Sequence, residues 1–381
     1  MRMLVLGAGL QGAACAFDLL RTPDVSEVVI ADLTVDHLPP FLQPRVDNGL
    51  VPIRLDVRDR AAVFDVMRGC RAAMSAVPYY FNETLAEIAV EAGVHFCDLG
   101  GNTEIVQRQK SLDAAARAKR VSIVPDCGLA PGLINVLAQY GMDQFDRTEA
   151  VRIYVGGLPQ EPQPPLNYQV VYSLEGVLDY YTTRSWLLRG GQRVQVDALS
   201  EIEPLDFPAP VGTLEAFHTA GGLSMMAFRY EGRVPTMEYK TLRYPGHAAM
   251  MSVIRSLGFL DSEPVDVKGQ LVSPRDVAVA VMKPRLWRPQ GRDLVVVRVV
   301  VEGERHAARE TRAWQAIDYF DDQHGISAMM RTTGYSLAIT AVMQVRGQVA
   351  AGVHTPDECV PARIYFSELA QRGIAITPAV V

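Results

Sequence analysis

The feature that most constrains this chain is a glycine pattern, Gly7-Ala8-Gly9-Leu10-Gln11-Gly12, set between an apolar run and a helical one. Residues 3–6 read as a buried strand and residues 13–21 as a helix. In that setting Gly7 lets the chain turn sharply, Gly9 keeps side-chain atoms away from a pyrophosphate, and Gly12 lets helix and strand approach closely. The helix N-terminus, with Leu10 and Gln11, then turns its free N–H groups toward the phosphates. A second strand, residues 28–31, ends at Asp32, 20 residues beyond Gly12. A carboxylate at that place hydrogen-bonds the adenosine ribose. It also repels a 2′-phosphate, and Leu33, Thr34 and Val35 supply no basic side chain. The pattern predicts NAD, not NADP, as the cofactor.

Further strand–helix units follow. Residues 51–55, 72–76, 95–98 and 121–124 read as strands, with helices at 60–68, 82–92 and 112–119. Strands alternating with helices predict an α/β fold with a doubly wound parallel sheet, a Rossmann domain. Ligands of such sheets bind at the carboxyl ends of the strands. That rule selects Asp56, Val57, Ala76, Val77, Pro78 and Asp98 as cofactor contacts, and Asp126 and Cys127 as groups facing a substrate. From about residue 149 the pattern changes to alternating runs at 149–155, 186–188, 194–196, 237–244, 294–301 and 306–317. Helices are expected at 131–144, 174–181, 248–257 and 274–282, with a proline-rich loop at 156–165. This is an inserted α+β domain of mainly antiparallel or mixed sheet. A long apolar helix at 327–345 then leads back. The expected division is residues 1–127 plus 328–381 for the cofactor and 128–327 for substrate binding or dimerisation.

Composition narrows the function. A chain of 381 residues is long for one domain, and 49% hydrophobic with 21% charged residues excludes a disordered or coiled-coil protein. The net charge of −6 gives no basis for nucleic-acid or anionic-membrane binding, which need clustered positive charge. The five cysteines show no paired zinc spacing and no metal is expected; with no long apolar span, the expectation is a cytoplasmic protein.

Several stretches carry a resemblance. Asp126-Cys127-Gly128-Leu129-Ala130-Pro131-Gly132 resembles a signature of the saccharopine dehydrogenase (glutamate-forming) superfamily. Tyr154-Val155-Gly156-Gly157-Leu158-Pro159, Ser173-Leu174-Glu175-Gly176, Glu215-Ala216-Phe217-His218-Thr219 and residues 238–247 are similar to the lysine 6-dehydrogenases within it. The resemblance runs from the glycine loop to Arg331-Thr332-Thr333-Gly334. It implies oxidative deamination of the ε-amine of L-lysine to the 6-semialdehyde, with NAD as hydride acceptor, in a homodimer or higher homo-oligomer.

The chemistry asks for few groups. Hydride loss from an amine needs no covalent nucleophile, but the amine must be neutral, and its pKa near 10.4 calls for a proton acceptor. Lys240, His218 and Asp126 are the candidates, and the residues do not choose among them. In a strand over 237–244, Glu238, Lys240, Leu242 and Tyr244 share one face, and Tyr239, Thr241 and Arg243 the other. Arg243, Arg312 and Arg331 are candidates to clamp a substrate carboxylate in a two-point fork, Arg331 with Thr332 beside it foremost. Tyr168 and Cys127 are further candidate walls of the substrate site. Two rivals stand beside the lysine reading: a saccharopine reductase or carboxyspermidine-type dehydrogenase of the same superfamily, and a non-catalytic NAD-binding protein.

Overall fold

The structure is a computed structural model that describes residues 1–46 and 48–380. Strand β1 (Arg2–Leu6) runs into the glycine loop and helix α1 (Leu10–Leu19). β2 (Glu27–Asp32), β3 (Leu50–Arg54), α2 (Arg60–Met67), β4 (Ala72–Ser75), α3 (Asn82–Ala92) and β5 (His95–Asp98) follow. Next come α4 (Thr103–Lys110), α5 (Asp113–Lys119) and β6 (Ser122–Val124). The strands form one parallel sheet in the order β6-β5-β4-β1-β2-β3. Order reverses between β1 and β4, which opens a crevice at their carboxyl ends. Side chains cap two of the helix starts: Asp59 accepts from the Ala62 N–H and Asn102 from the Ile105 N–H. Sequence patterning misses α4, because only Ile105, Val106 and Gln109 of it are buried and its apolar stripe is short.

Helix α6 (Leu133–Met142) leads into the second unit, made of β7 (Arg147–Pro159), α7 (Leu174–Thr182), β8 (Ser185–Arg189), β9 (Gln192–Val196), β10 (Glu203–Phe207) and β11 (Gly212–His218). α8 (Met226–Arg229), β12 (Thr236–Arg243), α9 (His247–Ser256), β13 (Val265–Val267), β14 (Gln270–Val272), α10 (Pro274–Leu286), β15 (Asp293–Arg305) and β16 (Ala308–Tyr319) complete it. Its main sheet runs β10-β11-β12-β7-β15-β16 and is antiparallel except for the parallel pair β12–β7, so it is mixed. The proline-rich loop starts later than the sequence suggests. Gly156 and Gly157 pair with Val296 and Val295, and a Cβ at Gly156 would stand 2.9 Å from the Leu242 carbonyl oxygen. Those glycines allow close strand packing and do not mark a turn.

The expected helix at 327–345 is interrupted. α11 (Ala328–Met330) passes through a π turn at Arg331–Tyr335 into α12 (Ser336–Val345). Gly334 lies against α1, where a Cβ would meet the Gln11 carbonyl oxygen at 2.7 Å. β17 (Gly352–Val353) adds a seventh strand beside β6, and α13 (Pro356–Cys359) and α14 (Ala362–Gln371) follow. The tail departs from the expected division. β18 (Thr377–Ala379) pairs with β16, so the last residues extend the second sheet, not the first. An exposed edge strand invites such pairing, and its register from the tail has no sequence signature. Among the described residues no helix is long and apolar enough to cross a membrane.

Candidate active site

The glycine loop is pinned to the strand beside it. The Gly7 N–H donates to the Ala31 carbonyl at 2.7 Å, and the Ala8 N–H to an Asp32 carboxylate oxygen at 2.6 Å. Gly7 holds φ +103°, and a Cβ at Gly12 would stand 1.9 Å from the Gly7 oxygen, so both need the smallest residue. At Gly9 a Cβ would meet nothing within 4 Å, which leaves clear space before the α1 N-terminus. The Gln11 side-chain amide is buried with neither its oxygen nor its nitrogen hydrogen-bonded. Open space at a helix N-terminus, a ribose-reaching carboxylate and an unpaired amide together fit a dinucleotide. Asp56 and Val57 follow β3 at the same edge of the sheet. Asp56 is clamped by Arg58 at 2.6 Å, whose hydrogen bonds hold the carboxyl down at about 2.

A cavity of about 610 Å³ opens from this loop toward the second sheet. Its floor on the nucleotide side is Gln11, Ala76, Val77, Pro78, Tyr79 and Tyr80. The segments after β5 and β6 contribute Leu99, Gly100 and Gly128 to Pro131. The opposite wall comes from β7 (Val155, Gly157), α7 (Glu175, Asp179, Tyr180) and β12 (Tyr239, Thr241, Arg243), with Met329 and Thr333 closing one end. The π turn explains that end: it points Thr333 into the cavity while its neighbours Arg331 and Thr332 turn away.

Arg243 is the unusual group. It is 4% exposed and donates only to neutral acceptors: the Tyr181 hydroxyl at 3.2 Å, and the Gly157 and Leu242 carbonyls at 3.3 and 3.0 Å. Its guanidinium lies over the Tyr168 ring at 4.9 Å, and it has no carboxylate partner among the described residues. Its charge is felt nearby, since burial and then Arg243 hold the His247 imidazole down at about 3. A buried guanidinium without a counter-ion is costly, and its exposure to a cavity makes an anionic ligand the natural partner. Across the cavity, Asp179 pairs with Arg275 at 2.5 Å, and Glu175 is exposed.

Asp126 lies one layer behind the wall. It adopts φ +64°, accepts from the Gly101 N–H at 3.2 Å, and accepts a short hydrogen bond from the Ser224 hydroxyl. A Cβ on Gly100, itself at φ +63°, would collide with its carboxyl oxygen. Burial raises the Asp126 carboxyl to about 7; the Ser224 bond opposes this and the Asp98 charge adds to it. Asp98 is fully buried, accepts from Gln109 at 2.7 Å and the Gly100 N–H at 2.7 Å, and is raised by burial to about 6. It therefore shapes the loop under the cavity and does not line it. A non-glycine residue in left-handed backbone costs about 1–3 kcal/mol and is kept where the surroundings fix it.

Several expected site residues sit elsewhere. Lys240 and His218 face the other side of β12 and β11, where they are cross-strand partners. Lys240 Nζ donates to the Glu201 carbonyl at 2.8 Å and the Glu203 carboxylate at 2.9 Å. His218 contacts the Tyr239 carbonyl and Glu201. Glu201, His218 and Glu238 offer ligand atoms within 4.8 Å of one another, but Arg189 and Arg152 already pair with the two carboxylates. Arg331 is spent on Asp318, at 2.9 and 3.1 Å, and on the Arg372 carbonyl at 2.9 Å. Thr332 is buried and donates to the Ala328 carbonyl. Arg312 lies on β16 over Trp314, far along the sheet from the cavity wall. Cys127 is 1% exposed with its thiol on the Val124 carbonyl, so it is packed behind Gly128 and does not form a wall. Tyr168 supports Arg243 from beneath, its hydroxyl unpaired.

Sequence reasoning misses Tyr79, Tyr80, Tyr180, Tyr239, Thr241, Thr333, Glu175 and Asp179. For Tyr79 and Tyr80 the signal is present, since they directly follow Val77-Pro78 at a strand's carboxyl end. Tyr239 and Thr241 share the face of Arg243, and alternation leaves only the choice of face open.

Comparison with known proteins bears on the same regions. The family model described as "Saccharopine dehydrogenase NADP binding domain" matches residues 3–124, and "Saccharopine dehydrogenase C-terminal domain" matches residues 128–374. The NADP(+)-dependent, L-glutamate-forming saccharopine dehydrogenase of Schizosaccharomyces pombe is 23% identical over 271 residues, covering 68% of this chain and 58% of that protein. The mitochondrial alpha-aminoadipic semialdehyde synthase of Mus musculus is 24% identical over 274 residues, covering 69% of this chain but 29% of that protein. The chain thus spans about half or less of these relatives' lengths. Among solved structures, apo saccharopine dehydrogenase (L-Glu forming) from Saccharomyces cerevisiae superposes with a TM-score of 0.81 at 20% identity, covering 100% of this chain and 99% of that one. Homospermidine synthase from Legionella pneumophila, solved with NAD, gives 0.71 at 10% identity over 100% and 91%. At these identities the likeness establishes the fold.

Proposed function

The chain belongs to the saccharopine dehydrogenase family, and from that premise we propose that it is an amino-acid dehydrogenase that oxidises the ε-amine of L-lysine with NAD. The observation that carries this reading is the charge inventory of the cavity: Arg243 is the one cation among its described lining residues, and it is unpaired. Saccharopine brings three carboxylates, and desolvating two of them without a cation costs several kcal/mol each. Lysine brings one carboxylate, which Arg243 can hold.

The residues divide the work. Arg243 holds the carboxylate by a charge-assisted fork and so fixes the distance to the ε-carbon. Asp126, raised to about 7, is the proton acceptor in this reading; it lies one layer behind the wall, bonded to the Ser224 hydroxyl and the Gly101 N–H, so the proton of the ε-ammonium would reach it by relay. Tyr79, Tyr80 and Tyr180 exclude bulk water around the reacting carbon. Bound NAD would supply the hydride acceptor for that carbon. Water then adds to the substrate imine, ammonia leaves, and the 6-semialdehyde closes on its own α-amine. In this reading residues 1–127 and the returning segment from 328 hold the cofactor through the glycine loop, Asp32 and Gln11, while residues 128–327 hold the amino acid.

The choice of NAD rests on Asp32, whose second carboxylate oxygen is left over after the Ala8 bond. The family domain and the fission-yeast relative carry NADP in their names, which favours a second reading, saccharopine oxidation with NADP. NADH or NADPH formation with L-lysine and with saccharopine, measured in parallel, decides between them. NADH with lysine is expected; NADPH formation from saccharopine alone overturns the proposal.

A further inference from the structure

Arg243 lacks a counter-ion among the described residues although its cross-strand partner on β11 is a carboxylate, Glu215. Both Glu215 oxygens are spent elsewhere. They accept from the Gly246 N–H at 2.9 Å and the Ala248 N–H at 2.6 Å. Gly246 precedes α9 and has no side chain to cap it, so Glu215 supplies the cap from a neighbouring strand. The cap fixes the first turn of α9 and with it His247, which is buried.

His247 makes two hydrogen bonds, and together they fix every proton between it and Arg243. Its Nδ1 lies 3.0 Å from the Leu166 carbonyl, which can only accept, so Nδ1 carries the ring proton. The ring is neutral, since burial and then the Arg243 charge hold it down at about 3. Nε2 therefore offers a lone pair, and the Tyr181 hydroxyl, 2.9 Å away, must donate to it. With its proton committed, the Tyr181 oxygen turns a lone pair to Nε of Arg243 at 3.2 Å. Nη1 is held by the Gly157 and Leu242 carbonyls. Nη2 has no partner among the described residues, on a side chain that lines the cavity. Phe217 stacks on the imidazole at 6.4 Å and Tyr168 packs edge-on at 5.6 Å, which denies the ring another orientation.

We propose that His247 is the positioning residue of the carboxylate site: acting through Tyr181, it aims the free Nη2 of Arg243 into the cavity and so sets selectivity for substrates that carry a carboxylate. The inference rests on the reading of Arg243 as the carboxylate clamp. The chain of bonds from Arg243 through Tyr181 and His247 ends on a backbone carbonyl and contains no acid. It directs the guanidinium and leaves its charge whole. A hydroxyl with no fixed acceptor would let its proton, and the guanidinium beside it, swing. The single tautomer of His247 removes that freedom before substrate arrives, and preorganisation of this kind raises affinity without new contacts. His247 is not part of the cavity wall, so its influence on the substrate passes through Arg243.

Steady-state kinetics of the full chain with NAD and L-lysine test this. His247→Phe keeps an aromatic ring and removes both nitrogens. The KM for lysine should rise about tenfold or more, while kcat stays within about threefold. Tyr181→Phe removes one oxygen and should do the same, so the link stays readable if His247→Phe does not fold. The double variant should be no worse than either single one, because both break one chain of bonds. His247→Gln, whose amide oxygen can stand in for Nε2, should recover most of the loss. The preference for L-lysine over 1,5-diaminopentane should fall in step with KM. In the unaltered protein, NMR of the His247 ring nitrogens should show a neutral imidazole with its proton on Nδ1. A proton on Nε2, additive losses in the double variant, or a loss confined to kcat would overturn the proposal. The two readings fail differently. If Arg243→Met abolishes the carboxylate preference while His247→Phe and Tyr181→Phe leave it intact, the positioning role alone is wrong. If Arg243→Met leaves it intact as well, the clamp reading falls and takes this inference with it.

Discussion

The two sheets build their halves of the cavity by different means. On the parallel sheet, the site is made of strand ends: a glycine loop, a terminal Asp32, and the segments after β4, β5 and β6. On the mixed sheet, it is made of one face of β12, chosen over the other. Tyr239, Thr241 and Arg243 look into the cavity, while Glu238 and Lys240 pair with groups on the far side. A strand end is fixed by chain order, whereas a face is fixed only by what packs on it. Parallel sheets therefore announce their sites in one dimension, and mixed sheets do not.

The sharpest way to break this contrast is to exchange the two faces of β12. Arg243→Met should lower kcat/KM for lysine about 10²–10⁴-fold, the scale of losing a buried charge-assisted pair of about 3–5 kcal/mol. NAD affinity, measured by fluorescence quenching, should remain. Should Arg243→Met retain near-normal kcat/KM, the face assignment is wrong.

Asp126→Asn probes the seam between the sheets. Turnover should fall about 10²–10⁴-fold, and the acidic limb of the pH–rate profile, centred near 7, should disappear. Stability moves the other way. The folded carboxyl titrates at about 7 and the unfolded one near 3.9, so between those values the native state keeps a proton that the unfolded chain has lost. Stability from this group is full below about pH 4 and is lost as pH rises through 7. The asparagine variant should match the parent at about pH 3.5 and exceed it by a few kcal/mol, about 4 at most, at about pH 8 in urea melts. An unchanged pH–rate profile would move the proton acceptor elsewhere.

A smaller effect is expected on the cofactor half. Asp32→Ala should raise the NAD Michaelis constant about tenfold and narrow the NAD/NADP ratio, since it removes both the ribose acceptor and the bond to the Ala8 N–H. Equal use of both cofactors by the unaltered protein contradicts the reading of Asp32. Smallest of all, Lys240→Met should change kcat by less than about threefold. It should lower the melting temperature instead, because Glu203 and the Glu201 carbonyl lose their partner.

The same contrast explains what the sequence can reveal. The glycine loop, Asp32, the parallel sheet and Ala76-Val77-Pro78 are legible because spacing along the chain carries them. The alternation at 237–244 is legible too, and it separates Lys240 from Arg243, but alternation does not say which face meets the cavity. Arg331 reads as the best clamp from its neighbours Thr332 and Thr333; the π turn, set by the approach of Gly334 to α1, gives Arg331 to Asp318 and leaves Thr333 in the cavity. Asp126 is visible at a strand end, but its raised carboxyl depends on burial under Gly100, which is a tertiary fact. The edge strands β18 and β10 escape sequence patterning because half-exposed edge strands have weak periodicity, and β11, buried over its last five residues, shows no alternation to read.

The central claim is that the unpaired Arg243 selects a substrate with one carboxylate. The most direct measurement is the ratio of kcat/KM for L-lysine to that for 1,5-diaminopentane, its analogue without the carboxylate, in the unaltered protein and in Arg243→Met. The account predicts a ratio of at least about 10² that collapses toward one in the variant. An unaltered enzyme indifferent to the carboxylate, or a ratio that survives in Arg243→Met and collapses in Lys240→Met, would contradict it.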